Sequence, residues 1–152
     1  MDIEIIQAHV DDAREILTLQ QAAHKEDAHV YDDWNVRPIT QTLSELHEEF
    51  DKCVFAKAMF DGRIVASVSG KTVADTCMVR RLILHPDFQH EGIRASLMQA
   101  IEVLCPSAKR FELFTSTKRT DDIRLYEQLG YAAYHHEDFS PLVRIVFMQK
   151  SI

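Results

Sequence analysis

The stretch Arg80-Arg81-Leu82-Ile83-Leu84-His85-Pro86-Asp87-Phe88-Gln89-His90-Glu91-Gly92-Ile93-Arg94-Ala95 is the part of this sequence best suited to hold an anion. A β-like run passes through His85-Pro86 into a turn, and a helical pattern opens with Gly92 in its first turn. The first amides of a helix lack partners within it, and the peptide dipoles place partial positive charge at that end. A glycine there lets a phosphate approach the backbone closely, so strand, turn and helix form a candidate diphosphate cradle. The same connection with one glycine also occurs as plain architecture. Two other phosphate signatures, G-x-G-x-x-G and G-x-x-x-x-G-K-[ST], do not occur.

The elements that must position this stretch follow from periodicity. Asp2 to Ala8 alternates as a short strand. Asp12, with Glu15 three residues on, has the spacing of a capping box, and Ala13, Ile16, Leu17 and Leu19 to Ala23 give the following helix an apolar side. His29 to Pro38 reads as a loop, and Thr42 with Glu45 opens a second helix carrying Leu43, Leu46 and Phe50. Cys53 to Met59 and Arg63 to Lys71 read as strands of a hairpin turned by Asp61-Gly62, a dipeptide suited to positive φ. Thr76 to Leu84 is a third β-like run. Ile93, Leu97, Met98, Ile101, Leu104 and Cys105 mark a helical face that Pro106 stops. A strand over Phe111 to Thr115, a helix from Thr120 to the cap at Gly130, and strands at Tyr131 to Tyr134 and Leu142 to Met148 complete the order. This order predicts an α+β fold on a mixed, mostly antiparallel sheet of about seven strands with flanking helices, in one domain over 1–152.

Leu82-Ile83-Leu84-His85-Pro86-Asp87-Phe88-Gln89-x-x-Gly92-Ile93 resembles the acetyl-CoA motif of the GNAT N-acetyltransferases, whose core is Q/R-x-x-G-x-G/A. Ile123-Arg124-Leu125-Tyr126-Glu127-Gln128-Leu129-Gly130-Tyr131 resembles the later helix of that family, which ends in L-Y-x-x-L-G-F/Y. Both motifs occur in order and at matching spacing, and the element order agrees over the whole chain. The resemblance implies acetyl-CoA as cosubstrate, held between two splayed parallel strands. The backbone of Leu82, Ile83 and Leu84 would bond the pantetheine arm, and the turn of Gln89, His90, Glu91, Gly92, Ile93, Arg94 and Ala95 would hold the pyrophosphate. Phe111 to Thr115 would be the second splayed strand. Three departures from the family pattern bear on this cradle. Arg94 stands where Gly or Ala is usual, Glu91 where a basic residue is frequent, and Asp121 and Asp122 where asparagine is common.

Acetyl transfer needs a neutral amine and a proton for the departing thiolate. The resemblance gives the second task to Tyr126, which otherwise reads as an aromatic on the apolar side of a short helix. Glu112 is a candidate base in the presumed second strand, although alternation would equally turn it outward. His85 reads as a cap of its turn, and the adjacent His135-His136 as a solvated pair rather than a metal site. Tyr31, Asp32 and Trp34 lie where the family often lines its acceptor pocket, and carboxylates beside aromatics suit a cationic amine. Solvated loop residues are the alternative.

With 17 basic and 24 acidic residues the net charge is −7, which argues against nucleic-acid binding. The start lacks the basic and apolar regions of a signal peptide, and no apolar run approaches the roughly 20 residues of a membrane span. Cys53, Cys77 and Cys105 fit no metal spacing and read as reduced thiols of a cytoplasmic protein. The expectation is an acetyl-CoA-dependent N-acetyltransferase acting on a small-molecule or peptide amine, with a homodimer left open. The alternative is a degenerate acyl-CoA sensor or a regulatory interaction module without turnover.

Overall fold

The computed structural model describes residues 2–31 and 41–152. Its strands are β1 (Glu4–Ala8), β2 (Val54–Phe60), β3 (Arg63–Val73), β4 (Thr76–Leu84), β5 (Arg110–Ser116), β6 (Ala132–Ser140) and β7 (Val143–Ser151). The α-helices among the described residues are α1 (Ala13–Tyr31), α2 (Leu43–Lys52), α3 (Glu91–Leu104) and α4 (Thr120–Gln128). Short 3-10 turns at Val10–Asp12 and Pro86–Phe88 precede α1 and α3. The seven strands form one sheet in the order β1-β2-β3-β4-β5-β7-β6. All neighbours are antiparallel except β4 and β5, which are parallel. This is the α+β architecture that the element order predicts. No described helix is long and apolar enough to cross a membrane.

Two apolar layers hold helices on opposite faces of the sheet. On one face, Ala13, Ile16, Leu19 and Ala23 of α1 and Leu46 of α2 pack with Phe55, Ile64 and Ile83. On the other, Ile93, Leu97, Met98 and Ile101 of α3 and Tyr126 of α4 bury Val68, Val79, Phe111, Leu113 and Met148. The α1 and α2 layer stops at β4, so the far part of its sheet face, over β5, β7 and β6, leaves Phe114 at 44% exposure and Tyr134 at 46%. The edge strand β6 is exposed along nearly its whole length and carries His135, His136, Glu137 and Asp138. Charged side chains of this kind discourage further strand pairing.

The local signals held where they were short-range. Thr42 and Glu45 bond each other's backbone amides at 3.1 and 2.9 Å as a capping box. Asp61 and Gly62 turn the β2–β3 hairpin at φ 52° and 76°. Gly130 takes φ 101° after α4. Three expectations are corrected. The cap before α1 is one turn earlier than Asp12 with Glu15: Asp12 accepts from the His9 amide at 3.0 Å and pairs with Lys57 at 2.9 Å. Glu15 instead accepts from the Ile64 amide of β3 at 2.8 Å. Next, α1 continues through His29 to Tyr31, because no helix breaker precedes Pro38. Last, β6 runs to Ser140, well past Tyr134, because β7 supplies its ladder, and β7 runs to Ser151, where its last residues pair with Arg110 and Phe111 of β5.

Gly70 lets α3 come down on β3. A Cβ at this position would lie 2.8 Å from Cys77 Sγ, 2.9 Å from Ile101 Cγ1 and 3.3 Å from Cys105 Sγ, all inside the core. Overpacking a filled interior forces side chains or backbone to move. Gly70→Ala is therefore expected to lower unfolding stability by about 1–3 kcal/mol in urea titration, with the slope of the transition unchanged. An unchanged midpoint would show that this contact is looser than the geometry indicates.

Candidate active site

β4 and β5 stay paired only at their starts, Thr76 with Arg110, Cys77 with Phe111 and Met78 with Glu112. Farther on, β4 keeps β3, ending with Leu84 opposite Ala66, while β5 keeps β7. The cause is in β4. From Arg80 to Ile83 it uses one residue more than β3 does from Ser69 to Ser67, and Arg81 sits at φ 56°. Such a bulge raises the local twist and bends its strand. Left-handed backbone is uncommon for a residue with a β-carbon, and here α2 secures it. The Arg81 guanidinium pairs with Glu49 and donates to Gln41 Oε1 at 3.3 Å. Gln41 Oε1 also accepts from Gln20 at 2.9 Å, while the buried Gln41 Nε2 has no acceptor among the described residues. Among the described residues, the β4 wall of the resulting V therefore has no strand partner on its β5 side from Val79 to Leu84.

A cavity of about 200 Å³ opens along this wall, lined by Leu82, Ile83, Leu84, Pro86, Gln89, Arg94, Arg119 and Ala23 of α1. Gln89 ties the end of β4 to α3: its amide donates to the carbonyls of Leu84 at 3.0 Å and His85 at 3.1 Å. His85 caps its turn as expected, with Nδ1 accepting from the Asp87 amide at 3.1 Å. At the start of α3 the amides of Ile93 and Arg94 turn back to the His90 carbonyl at 3.2 and 3.3 Å, and His90 supplies no side-chain cap. The Gly92 amide has no acceptor among the described residues, and a Cβ at Gly92 would meet nothing within 4 Å. Space and a free donor thus coincide at the positive end of a helix.

Arg94, only 9% exposed, does not point to solvent. It donates to Gln89 Oε1 at 2.7 Å and meets Asp122 of α4 at 3.3 Å. Asp122 also receives Arg119 at 2.7 Å. One carboxylate thus serves two guanidiniums and links α3 to α4 beside the cavity. On the opposite side of the sheet, Glu112 pairs with Arg110 at 2.7 Å. Tyr134 lies beside Glu112, and partial burial followed by that carboxylate raises its hydroxyl above the usual tyrosine range. Arg80 lies 4.7 Å from the centre of the Phe114 ring; burial lowers its pKa, an effect that Glu112 opposes.

The model of the acetyltransferase (GNAT) family matches residues 11–131. This chain belongs to that family. The GNAT chain is also similar to the UPF0157 protein YqkA of Bacillus subtilis (strain 168), at 24% identity over 119 residues. That match covers 78% of the chain but 34% of YqkA, so the chain spans about a third of the length of that curated relative. Among solved structures, the PaiA N-acetyltransferase from Thermoplasma acidophilum in complex with coenzyme A superposes at TM-score 0.82, with 17% identity and 100% of both chains covered. The ribosomal-protein-S18-alanine N-acetyltransferase from Escherichia coli gives 0.76 at 16% identity, covering 99% of this chain and 94% of that one. The structure of yncA from Salmonella typhimurium with its cofactor acetyl-CoA gives the same 0.76, 16%, 99% and 94%. At these identities the likeness is one of fold.

Of the residues singled out in the sequence, Leu82, Ile83, Leu84, Gln89 and Arg94 line one cavity of the GNAT chain. Tyr126 is buried in the layer between sheet and helices, edge-on to Tyr131 at 6.3 Å, and is not among the residues lining that cavity. Glu112 lies on the other sheet face, tied to Arg110. Asp32 and Trp34 lie outside the described residues, as do the side chains of Tyr31 and Glu91. Neither of the neighbouring thiols Cys77 and Cys105 lines the cavity, and their shared hydrogen bond and burial hold Cys77 well above the usual thiol range. Sequence reading missed Arg119, Arg80 and the partner of Arg94. The spacing of Arg119 and Asp122 on one helix face was the available signal for the first.

A double-mutant cycle of Arg94→Met and Asp122→Asn should show coupling above about 1 kcal/mol in urea unfolding, because either single change leaves the other buried group without its ionic partner across the two helices. Coupling below about 0.3 kcal/mol would mean that the two side chains do not depend on each other.

Proposed function

We propose that this chain transfers an acetyl group from acetyl-CoA to the amine of a small molecule or peptide. The observation that carries the reading is the parting of β4 from β5 beside the free amide and open space at Gly92. The two features suit the two ends of one ligand: an amide-bearing arm pairs along Leu82 to Leu84, and a diphosphate meets the start of α3. Arg94 and Arg119 add positive charge beside that cradle, and Asp122 keeps them from repelling one another.

The reaction forms a C–N bond and breaks a C–S bond. An alkyl ammonium must first lose a proton, since its pKa lies near 10. The departing thiolate must gain a proton or a strong donor. We assign that donor to the Tyr126 hydroxyl, whose side chain already lies in a water-excluded layer where a donor acts strongly. Glu112 is poorly placed to accept the amine's proton directly, because its side chain is already engaged by Arg110 at 2.7 Å. Water at the mouth of the V would take that proton.

A second reading is favoured by the Arg94–Asp122–Arg119 bridge, which crosses between the helices beside the cavity. If that bridge holds the arm away from the sheet faces, the chain senses acyl-CoA without turnover. One assay separates the two. Acetyl-CoA is incubated with small amines, polyamines, aminoglycosides and peptide N-termini while free thiol is measured. Thiol release with at least one amine is expected, and acetyl-CoA binding without any release would favour the sensor. With the best acceptor, Tyr126→Phe should lower turnover about ten- to a thousandfold while acetyl-CoA affinity stays near that of the parent. Equal turnover under conditions where chemistry limits the rate would remove Tyr126 from the mechanism.

A further inference from the structure

We propose that Arg80 selects the acceptor, and that the amine acetylated by this chain also carries an anionic oxygen group, a carboxylate or phosphate, which the Arg80 guanidinium binds. This rests on the acetyltransferase reading above.

In a regular strand, consecutive side chains leave opposite faces of the sheet. The extra residue of the β4 bulge cancels that alternation for Arg80 and Arg81. Arg81 reaches Glu49 of α2, on the α1 and α2 side. Arg80 lies over Phe114, whose neighbours Phe111 and Leu113 are buried on the α3 side, so Phe114 and Arg80 belong to the α1 and α2 side as well. Two guanidiniums therefore stand together on one face, two to three residues past the last paired position of the V, Met78 with Glu112.

Their charges are not equally answered. Arg81 is matched by Glu49, and Glu112 is taken by Arg110. Arg80 makes no ion pair among the described residues, and it donates a hydrogen bond to its own neighbour, the Val79 carbonyl, at 3.1 Å. A half-buried cation stacked on an aromatic ring, with most of its donors open, is a site for an oxyanion, because the planar fork pairs with two oxygens at once. The buried Gln41 Nε2, beside Arg81, is a second donor on the same side without an acceptor among the described residues. On a chain of net charge −7, this local excess of positive charge points to a specific anion rather than to general attraction.

The location makes Arg80 a specificity-determining residue. An arm that pairs with Leu82 to Leu84 and leads toward the closed end of the V brings its thioester next to residues 80 and 81. The amine must arrive there from the face that the arm does not occupy. An acceptor whose anion sits on Arg80 then holds its amine close to the thioester. A polyamine without an anion would instead meet a guanidinium.

The test uses matched amines with acetyl-CoA and thiol detection: β-alanine against propylamine, and O-phosphoethanolamine against ethanolamine. The anionic member of at least one pair should be acetylated with a kcat/KM at least about tenfold higher, and the pair that shows it tells carboxylate from phosphate. Arg80→Gln should raise KM for that amine about tenfold or more while KM for acetyl-CoA stays unmoved, and Arg80→Lys should recover part of the loss. A merely structural role would shift acetyl-CoA KM and thermal midpoint in both variants. Equal rates within both pairs, or equal loss for anionic and neutral amines in Arg80→Gln, overturn the proposal. Calorimetry of acetyl-CoA with the parent separates the two levels. Binding and turnover without anion preference overturn only the role of Arg80, whereas absence of acetyl-CoA binding overturns the acetyltransferase reading and this proposal with it.

Discussion

Arg81 is held with a positive φ in the middle of a buried sheet, and the rest of the candidate site follows from that conformation. For a residue with a β-carbon, such backbone costs of order 1–3 kcal/mol and persists only where the surroundings enforce it. The enforcement comes from α2 and from Gln41 just before it. Glu49 and Gln41 grip the guanidinium, Gln20 of α1 braces Gln41, and Leu46 fixes α2 against the sheet. With Arg81 so fixed, β4 bulges against β3 and turns from β5. A strand edge that would otherwise be consumed by pairing is left open in the interior of the fold. The two helices that anchor Arg81 also roof one face of the sheet, so the device that opens the V shapes its surroundings too.

The opposite wall depends on a different balance. Gly70 allows α3 to settle close to β3, and Gln89 laces the end of β4 to the start of that helix. Arg94 then reaches across to α4 rather than outward. Its pairing with Asp122 explains why a bulky cation is tolerated where the family usually has Gly or Ala: the side chain is drawn sideways to Asp122 and Gln89, leaving the space at Gly92 open. Arg94 and Asp122 thus act as one charge-matched unit. The sheet divides the charges between its faces, with Arg94, Arg119 and Asp122 near the cradle and Arg80, Arg110 and Glu112 on the far side.

Much of this was legible in the sequence, and the reason is local. β4 was bounded at Thr76 and Leu84, as found, because its apolar run ends in His85-Pro86. Thr42 with Glu45, Asp61-Gly62 and Gly130 act through neighbours within a few residues. The Gly92 turn was visible because glycine is scarce here, with four in the chain. What escaped was set by distant partners. Nothing near Arg81 announces a left-handed backbone, since its anchor is Glu49, thirty-two residues away. Asp12 read as a cap for α1 because Lys57, which it binds, lies in β2, far along the chain. Arg80 read as an ordinary strand residue because the bulge that re-aims it arises only in the sheet. Burial of Tyr126 agreed with its apolar spacing, which gives the same sequence signal for packing and for chemistry.

We propose that the unpaired β4 edge receives the arm of coenzyme A as an added strand. Hydrogen–deuterium exchange of the full chain with and without coenzyme A tests it directly, read at the peptides that contain Leu82, Ile83 and Leu84. Slower exchange is expected there and at the first turn of α3 when coenzyme A is present. Protection confined to other elements, with the β4 edge exchanging as fast as in the free protein, would contradict it.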